Sequence, residues 1–217
     1  MNSTLNSFDN IFCSYWQKAV LIIAIGSLNA QTYKNPILSG GYPDPSVCRV
    51  GNEFIMVNSS FEYFPALPIH KSKDLVNWEL VGYGLNRIEQ VSGQINLIDV
   101  QSNGGIHAPT IRFHNGKYHI ISTTVYYDEV EKIATATNFI ITSSSPEGPW
   151  SDPIIIKGAP GIDPDIFFDD DGRVWYTGNH QPLDPAFSGE TEIWMQELDS
   201  TSFQLIGKRF FLWRGAC

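Results

Sequence analysis

Beyond residue 35 the apolar positions fall in short runs, alternating or continuous, cut at close intervals by Gly, Pro, Asn and Asp. No stretch of twelve or more residues there carries apolar positions at helical spacing. Short runs bounded by turn residues predict strands and hairpins. One hairpin pattern occurs three times, over 45–57 (PSVCRVGNEFIMV), 109–121 (PTIRFHNGKYHII) and 164–176 (PDIFFDDDGRVWY). Each copy runs from a proline through a short apolar strand and a Gly-containing turn into an aromatic or β-branched strand. The pairs Asn115-Gly116 and Asp171-Gly172 suit such turns, because these residues tolerate the positive φ that tight hairpins require. A second hairpin follows each copy: 68–73 with 78–81, 138–143 with 153–156, and 192–197 with 203–206.

The repeat prolines stand 64 and 55 residues apart. Four strands per repeat at that period predict an all-β protein made of β-propeller blades. A β-sandwich with similar turn spacing is the competing architecture. Three blades do not close a ring, since propellers use about four to eight, and an unclosed third blade exposes an edge strand and an apolar face. The sequence stops at 210–217, directly after a strand. Residues 31–217 are therefore expected to supply about the first three blades of a longer, C-terminally truncated propeller domain.

Composition narrows the partners. The 217 residues include 13% aromatics, 18 Gly and 13 Pro but only 17% charged side chains, a turn-rich balance that fits an all-β chain. With 14 Lys+Arg against 23 Asp+Glu, the formal charge is −9 and no basic cluster offers a phosphate-neutralising stripe. That argues against nucleic acid and favours neutral ligands. Cys13, Cys48 and Cys217 are too few and too scattered for a disulfide framework or a zinc site.

Near the N-terminus Lys18 precedes an uncharged apolar run over 19–28, and Asn29-Ala30 supplies a small residue for cleavage. The run falls short of the ~20 residues a bilayer span needs. A secretory signal over 1–30 is predicted, against a buried core element as the alternative. The mature protein would be periplasmic or extracellular, with no membrane partner after signal removal.

In a propeller the innermost strand of each blade begins at the mouth of the central funnel. The residues just before the repeat prolines, Asp44, Ala108 and Asp163, are thus expected to face one cavity. A lone Asp-Pro is usually a turn former. Two in register with a repeat suit glycoside hydrolysis with inversion, in which one carboxylate deprotonates water and another protonates the leaving oxygen about 6.5–9.5 Å away. A third carboxylate nearby raises the acid's pKa by like-charge repulsion.

Several segments resemble glycoside hydrolase family 43: 35–46 (NPILSGGYPDPS), 59–65 (SSFEYFP), 72–78 (SKDLVNW), 104–112 (GGIHAPTIR), 148–153 (GPWSDP) and 161–172 (GIDPDIFFDDDG). The resemblance spans about 35–217 and is nearest to the β-xylosidase and α-L-arabinofuranosidase branch. It implies a five-bladed propeller that hydrolyses xylose- or arabinose-containing saccharides with inversion. It further implies Asp44 as general base, Asp163 as the residue that tunes and orients the acid, and Phe61, His107 and Ile162 as substrate contacts. His107 stands where many relatives carry Trp or Phe, which alters the stacking platform. Asp165 stands where Ser is common and adds a charge close to Asp163.

The family's general acid is a glutamate in a Glu-Gly-Pro-His segment, expected soon after a run such as Trp213-Arg-Gly215, and it is absent from this sequence. Glu147-Gly-Pro149 precedes Trp150 in an outer turn and is read as a decoy. The 217 residues alone are therefore expected to be inactive on natural glycosides. Among lesser features, His107, His114 and His119 are not read as a metal site. Residues 169–172 lack a calcium-loop pattern and read as a hairpin turn, and 129–132 reads as a solvated loop. Trp78 and Trp150 read as packing residues. No cofactor or metal ligand is assigned, although family members often hold a cation near the axis and a structural calcium is possible in the full-length fold. Two rivals remain: a retaining, invertase-like propeller, disfavoured by Asp-Pro-Ser in place of Asp-Pro-Asn-Gly, and a non-catalytic sugar-binding or decayed propeller fragment.

Overall fold

In the computed structural model the described residues are 32–128, 130 and 133–215. The described residues from Ile37 onward form one compact unit. The signal expected over 1–30 lies outside the described residues, as do three of the four positions in the 129–132 loop. No helix among the described residues is long and apolar enough to cross a membrane.

Among the described residues twelve strands make three four-stranded antiparallel sheets, each in simple sequence order. The first contains β1 (Ser46–Val50), β2 (Glu53–Val57), β3 (Ala66–Ser72) and β4 (Glu79–Leu85). The second contains β5 (Gly105–His114), β6 (Lys117–Asp128), β7 (Ile133–Ser143) and the short β8 (Ile154–Ile155). The third contains β9 (Ile162–Phe168), β10 (Val174–His180), β11 (Glu192–Leu198) and β12 (Leu205–Arg214). Each repeat predicted from the sequence has become one blade-like sheet. The leading strands β1, β5 and β9 lie side by side, β5 between the other two.

Burial explains the patterning. Side chains alternate across a strand, so a sheet covered on both faces needs apolar residues at consecutive positions. The middle sheet meets that need. Ile120 and Ile141 join Ile55, Leu67, Ile69 and Trp150 in the core shared with the first sheet. Their neighbours Ile121 and Ile140 join Ile166, Tyr176 and Trp194 in the core shared with the third.

Polar ties cross the same boundaries. Lys71 pairs with Glu147 at 3.2 Å, Gln90 Nε2 donates to Ser151 O at 2.9 Å, and Gln204 Nε2 donates to Ile155 O at 2.9 Å. Phe210, Phe211, Leu212 and Trp213 of β12 remain exposed, between 41% and 57%.

The structure exceeds the prediction at two places. The β6–β7 hairpin extends to Asp128 and Ile133, well past the predicted start at 138. Its added rungs include Thr124 opposite Thr137 and Val125 opposite Ala136; threonine is β-branched and suits a strand but breaks hydrophobic alternation. A 3-10 turn, Ile88–Val91, joins β4 to the segment before β5. It is fixed by buried Gln90, whose Oε1 accepts from Asn86 N and Arg87 N, both at 3.0 Å.

Candidate active site

Asp44 lies two residues before β1, while Ala108 is the fourth residue of β5 and Asp163 the second of β9. All three have left-handed backbone, with φ of 51°, 35° and 57°. That region is disfavoured for L-residues and aspartate tolerates it better than alanine does. Backbone held in such conformations must be over-determined by its surroundings, and it gathers at functional sites.

The surroundings are visible. Asn58, just after β2, donates from Nδ2 to Tyr42 O at 2.9 Å and Pro43 O at 3.2 Å. Ser122 holds the equivalent place after Ile121 and donates from Oγ to His107 O at 2.7 Å. Each clamps the carbonyl directly before the left-handed residue of its own sheet. The approach to Asp163 is held from the middle sheet, where Asn138 Nδ2 donates to Ala159 O at 3.1 Å and Gly161 O at 3.0 Å.

Two glycines permit the close approaches. A Cβ on Gly105 would lie 2.2 Å from Phe61 O, and one on Gly161 would lie 1.9 Å from Asn179 O. With that space kept free, Phe61 and Ile106 exchange backbone bonds of 2.9 and 3.0 Å, bringing the segment after β2 onto the start of β5.

Asp163 reports on what faces it. Its pKa is raised chiefly by partial desolvation and further by the charge of Asp44, while a hydrogen bond from Asn179 and the proximity of His107 oppose the rise. Side chains from the start of all three sheets therefore share one electrostatic environment. Asp44 is exposed, and its Oδ2 accepts a 2.6 Å hydrogen bond from Ser59 Oγ. The rings of Phe61 and His107 meet edge-on at 4.9 Å. A hollow of about 460 Å³, bounded by Tyr42, Pro43, Ser59, Phe61 and Tyr63, opens beside Asp44.

The structure thus gathers Asp44, Asp163, Phe61 and His107. Ile162 is half-buried opposite Asn179 at the start of β9, next to Asp163. Asp165, which adds a charge two residues from Asp163, is paired with Arg112 of β5 at 2.8 Å and is not among the charges that shift Asp163. Arg112, Ser59 and Asn179 escaped the sequence reading, because a lone polar residue within or just beyond a strand carries no pattern of its own.

Other candidates lie elsewhere. Glu147 follows β7, whose Ser143 is level with Tyr118 and hence with Phe113, at the end of the sheet opposite Ala108. Its carboxylate is held by Lys71 and Ser145. His114 is at the far end of β5 from His107 and stacks on Phe168 at 4.3 Å. A groove of about 510 Å³ also lies at that far end, but Asp169 is the only acid lining it, so it has no carboxylate pair. The 169–172 segment closes the β9–β10 hairpin, with Gly172 N donating to Asp169 O at 3.1 Å. Among the described residues no group of three or more His, Cys, Asp or Glu is placed to hold a metal ion.

The three blade-like sheets thus bring two aspartates and an aromatic pair together where the sheets begin. The sequence model of glycosyl hydrolases family 43 matches residues 33–216, and the chain belongs to that family. It is 45% identical over 187 residues to a xylosidase/arabinosidase of Butyrivibrio fibrisolvens, covering 84% of this chain and 33% of that protein. It is 42% identical over 164 residues to a non-reducing end alpha-L-arabinofuranosidase of Bacteroides ovatus, covering 72% of this chain and 29% of that one. The structure of a xylan beta-1,4-xylosidase from Bacillus halodurans superposes with a TM-score of 0.73 at 35% identity, covering 85% of this chain and 34% of that one. The chain thus spans about a third of the length of these relatives.

Proposed function

We propose that the protein is an inverting glycosidase acting on xylose- or arabinose-containing saccharides, with Asp44 as general base and Asp163 as the residue that tunes and orients the acid. The observation that carries this reading is the mutual placement of the two aspartates. They begin different sheets, share a left-handed backbone and are close enough for the charge of Asp44 to raise the pKa of Asp163. Family membership and relatives described as xylosidases and arabinosidases support the pentoside class.

In this mechanism Asp44 takes a proton from water as that water attacks the anomeric carbon, and the leaving oxygen is protonated from the opposite face. Ser59 engages Asp44 Oδ2, and no described hydrogen bond engages Oδ1. Oδ1 is the oxygen assigned to the water. Phe61 and His107 line the sugar's edge, and Ile162 completes the apolar wall beside Asp163.

The protonating group is assigned to residues outside these 217, within a five-bladed ring that the three sheets here begin. On this reading the 217-residue polypeptide lacks turnover. Export guided by residues 1–30 would place the enzyme among extracellular or periplasmic plant saccharides. The test is Asp44→Asn in the full-length protein: hydrolysis of xylobiose or aryl arabinofuranosides should fall by at least about 100-fold, the scale of lost general-base catalysis, with the fold intact. Activity within tenfold of the parent would contradict the assignment.

A further inference from the structure

We infer that Ser59 is a positioning residue for the general base, joining Asp44 to the backbone of the neighbouring sheet through a two-bond relay. The inference rests on the reading of Asp44 given above. Ala108 N donates to Ser59 Oγ at 2.6 Å, and Ser59 Oγ donates to Asp44 Oδ2 at 2.6 Å. A serine hydroxyl has one proton to give. With the amide N–H of Ala108 occupying a lone pair, that proton is directed at the carboxylate.

The relay has no slack. Ser59 is 1% exposed, so water does not compete for its hydroxyl. Its backbone N–H donates to Pro43 O at 3.1 Å, fixing it against the residue that precedes Asp44. Ala108, at the other end, has the φ of 35° and follows the carbonyl clamped by Ser122. The left-handed backbone of Ala108 is therefore put to use: it points an N–H of the second sheet at a hydroxyl of the first. Ala108 has no acid to contribute, yet its amide sets the rotamer of one.

Two consequences follow for Asp44. Oδ2 is withdrawn from the reaction and Oδ1 is left as the single basic oxygen. The carboxylate plane is also locked to the boundary between two sheets, so the position of the attacking water is fixed by sheet packing. Misplacing a reacting group by about 1 Å can cost on the order of 100-fold.

The experiment compares Ser59→Ala and Ser59→Thr in the full-length protein. The alanine variant should lose about 10–100-fold in kcat, the worth of a hydrogen bond to a charged group, with KM within about twofold of the parent. The loss should be equal for xylobiose and for a 2,4-dinitrophenyl glycoside, because a better leaving group relieves a defect in the acid and not one in the base. Threonine, which keeps the hydroxyl, should restore most of the rate. If the alanine variant does not fold, Ser59→Cys takes its place, with the same loss expected from the weaker thiol donor.

Parent-like kcat in the alanine or cysteine variant would overturn the inference, as would a loss that threonine fails to recover or that disappears with the dinitrophenyl substrate. Asp44→Asn, assayed alongside, separates the two claims. If Asp44→Asn is active the base assignment itself fails; if it is inactive while Ser59→Ala is unimpaired, only the relay fails.

Discussion

At the scale of single residues, the fold works against the charge of Asp163. The carboxyl of Asp163 is easier to protonate in the folded chain than in the unfolded one, chiefly through desolvation and then through Asp44. Its ionisation therefore opposes folding. The contribution is most favourable below the ordinary aspartate range and is lost as pH rises through the elevated folded value. Asp163→Asn should leave the melting temperature at pH 7 unchanged or raised, flatten its decline above pH 4, and reduce turnover in the full-length enzyme. A marked drop in melting temperature would show that Asp163 serves the fold instead.

His119 has the opposite sign. It is buried between the second and third sheets against Phe168 and Phe203, and its pKa is lowered to about 4, first by desolvation and then by the nearby His114. Its neutral form fits the core, so its contribution is complete above the unfolded value near 6.5 and is lost as pH falls toward 4. His119→Phe should reduce the slope of stability against pH between 6.5 and 4 in denaturant titrations. An unchanged slope would place the titration elsewhere.

At the scale of elements, the glycines that admit Phe61 and Asn179 to the starts of β5 and β9 have no substitute. Gly105 has a φ of 80°, and its Cβ would overlap the Phe61 carbonyl carbon and oxygen. Gly105→Ala should cost several kcal/mol, more than the ~1 kcal/mol typical of strained backbone alone, because main-chain atoms must move as well. Urea unfolding measures this. A loss below 1 kcal/mol would mean that the Phe61–Ile106 bridge is dispensable.

Legibility follows from the same physics. The hairpins were readable because β1 with β2, β5 with β6 and β9 with β10 repeat one proline–strand–turn pattern. Asp44 and Asp163 were readable because they share a register in that repeat. The threonine-rich end of β6–β7 was not, since its alternation is polar against polar. Ser59 and Arg112 were not, because their partners Ala108 and Asp165 are 49 and 53 residues away and belong to other sheets. Only packing brings them together.

At the scale of the whole molecule, the three sheets share two continuous cores, and the middle one is buried on both faces. The candidate site lies where all three begin, so its geometry is set by how the sheets pack. On the proposed reading the described residues supply a base and a modulator, with Glu147, the nearest motif match to an acid, turned to the far end. The 217-residue polypeptide, expressed alone, should therefore show no release of xylose or arabinose from xylobiose or arabino-oligosaccharides above a blank. Clear turnover would require an acid among these residues that the site does not show.

The central claim is that Asp44 activates water in an inverting hydrolysis. Proton NMR of the first-formed sugar, with the full-length enzyme and its Asp44→Asn variant followed side by side on xylobiose, tests it most directly. The account predicts that the parent first releases the anomer inverted relative to the substrate and that the variant releases almost none. First release of the retained anomer, or brisk hydrolysis by the variant, would contradict it.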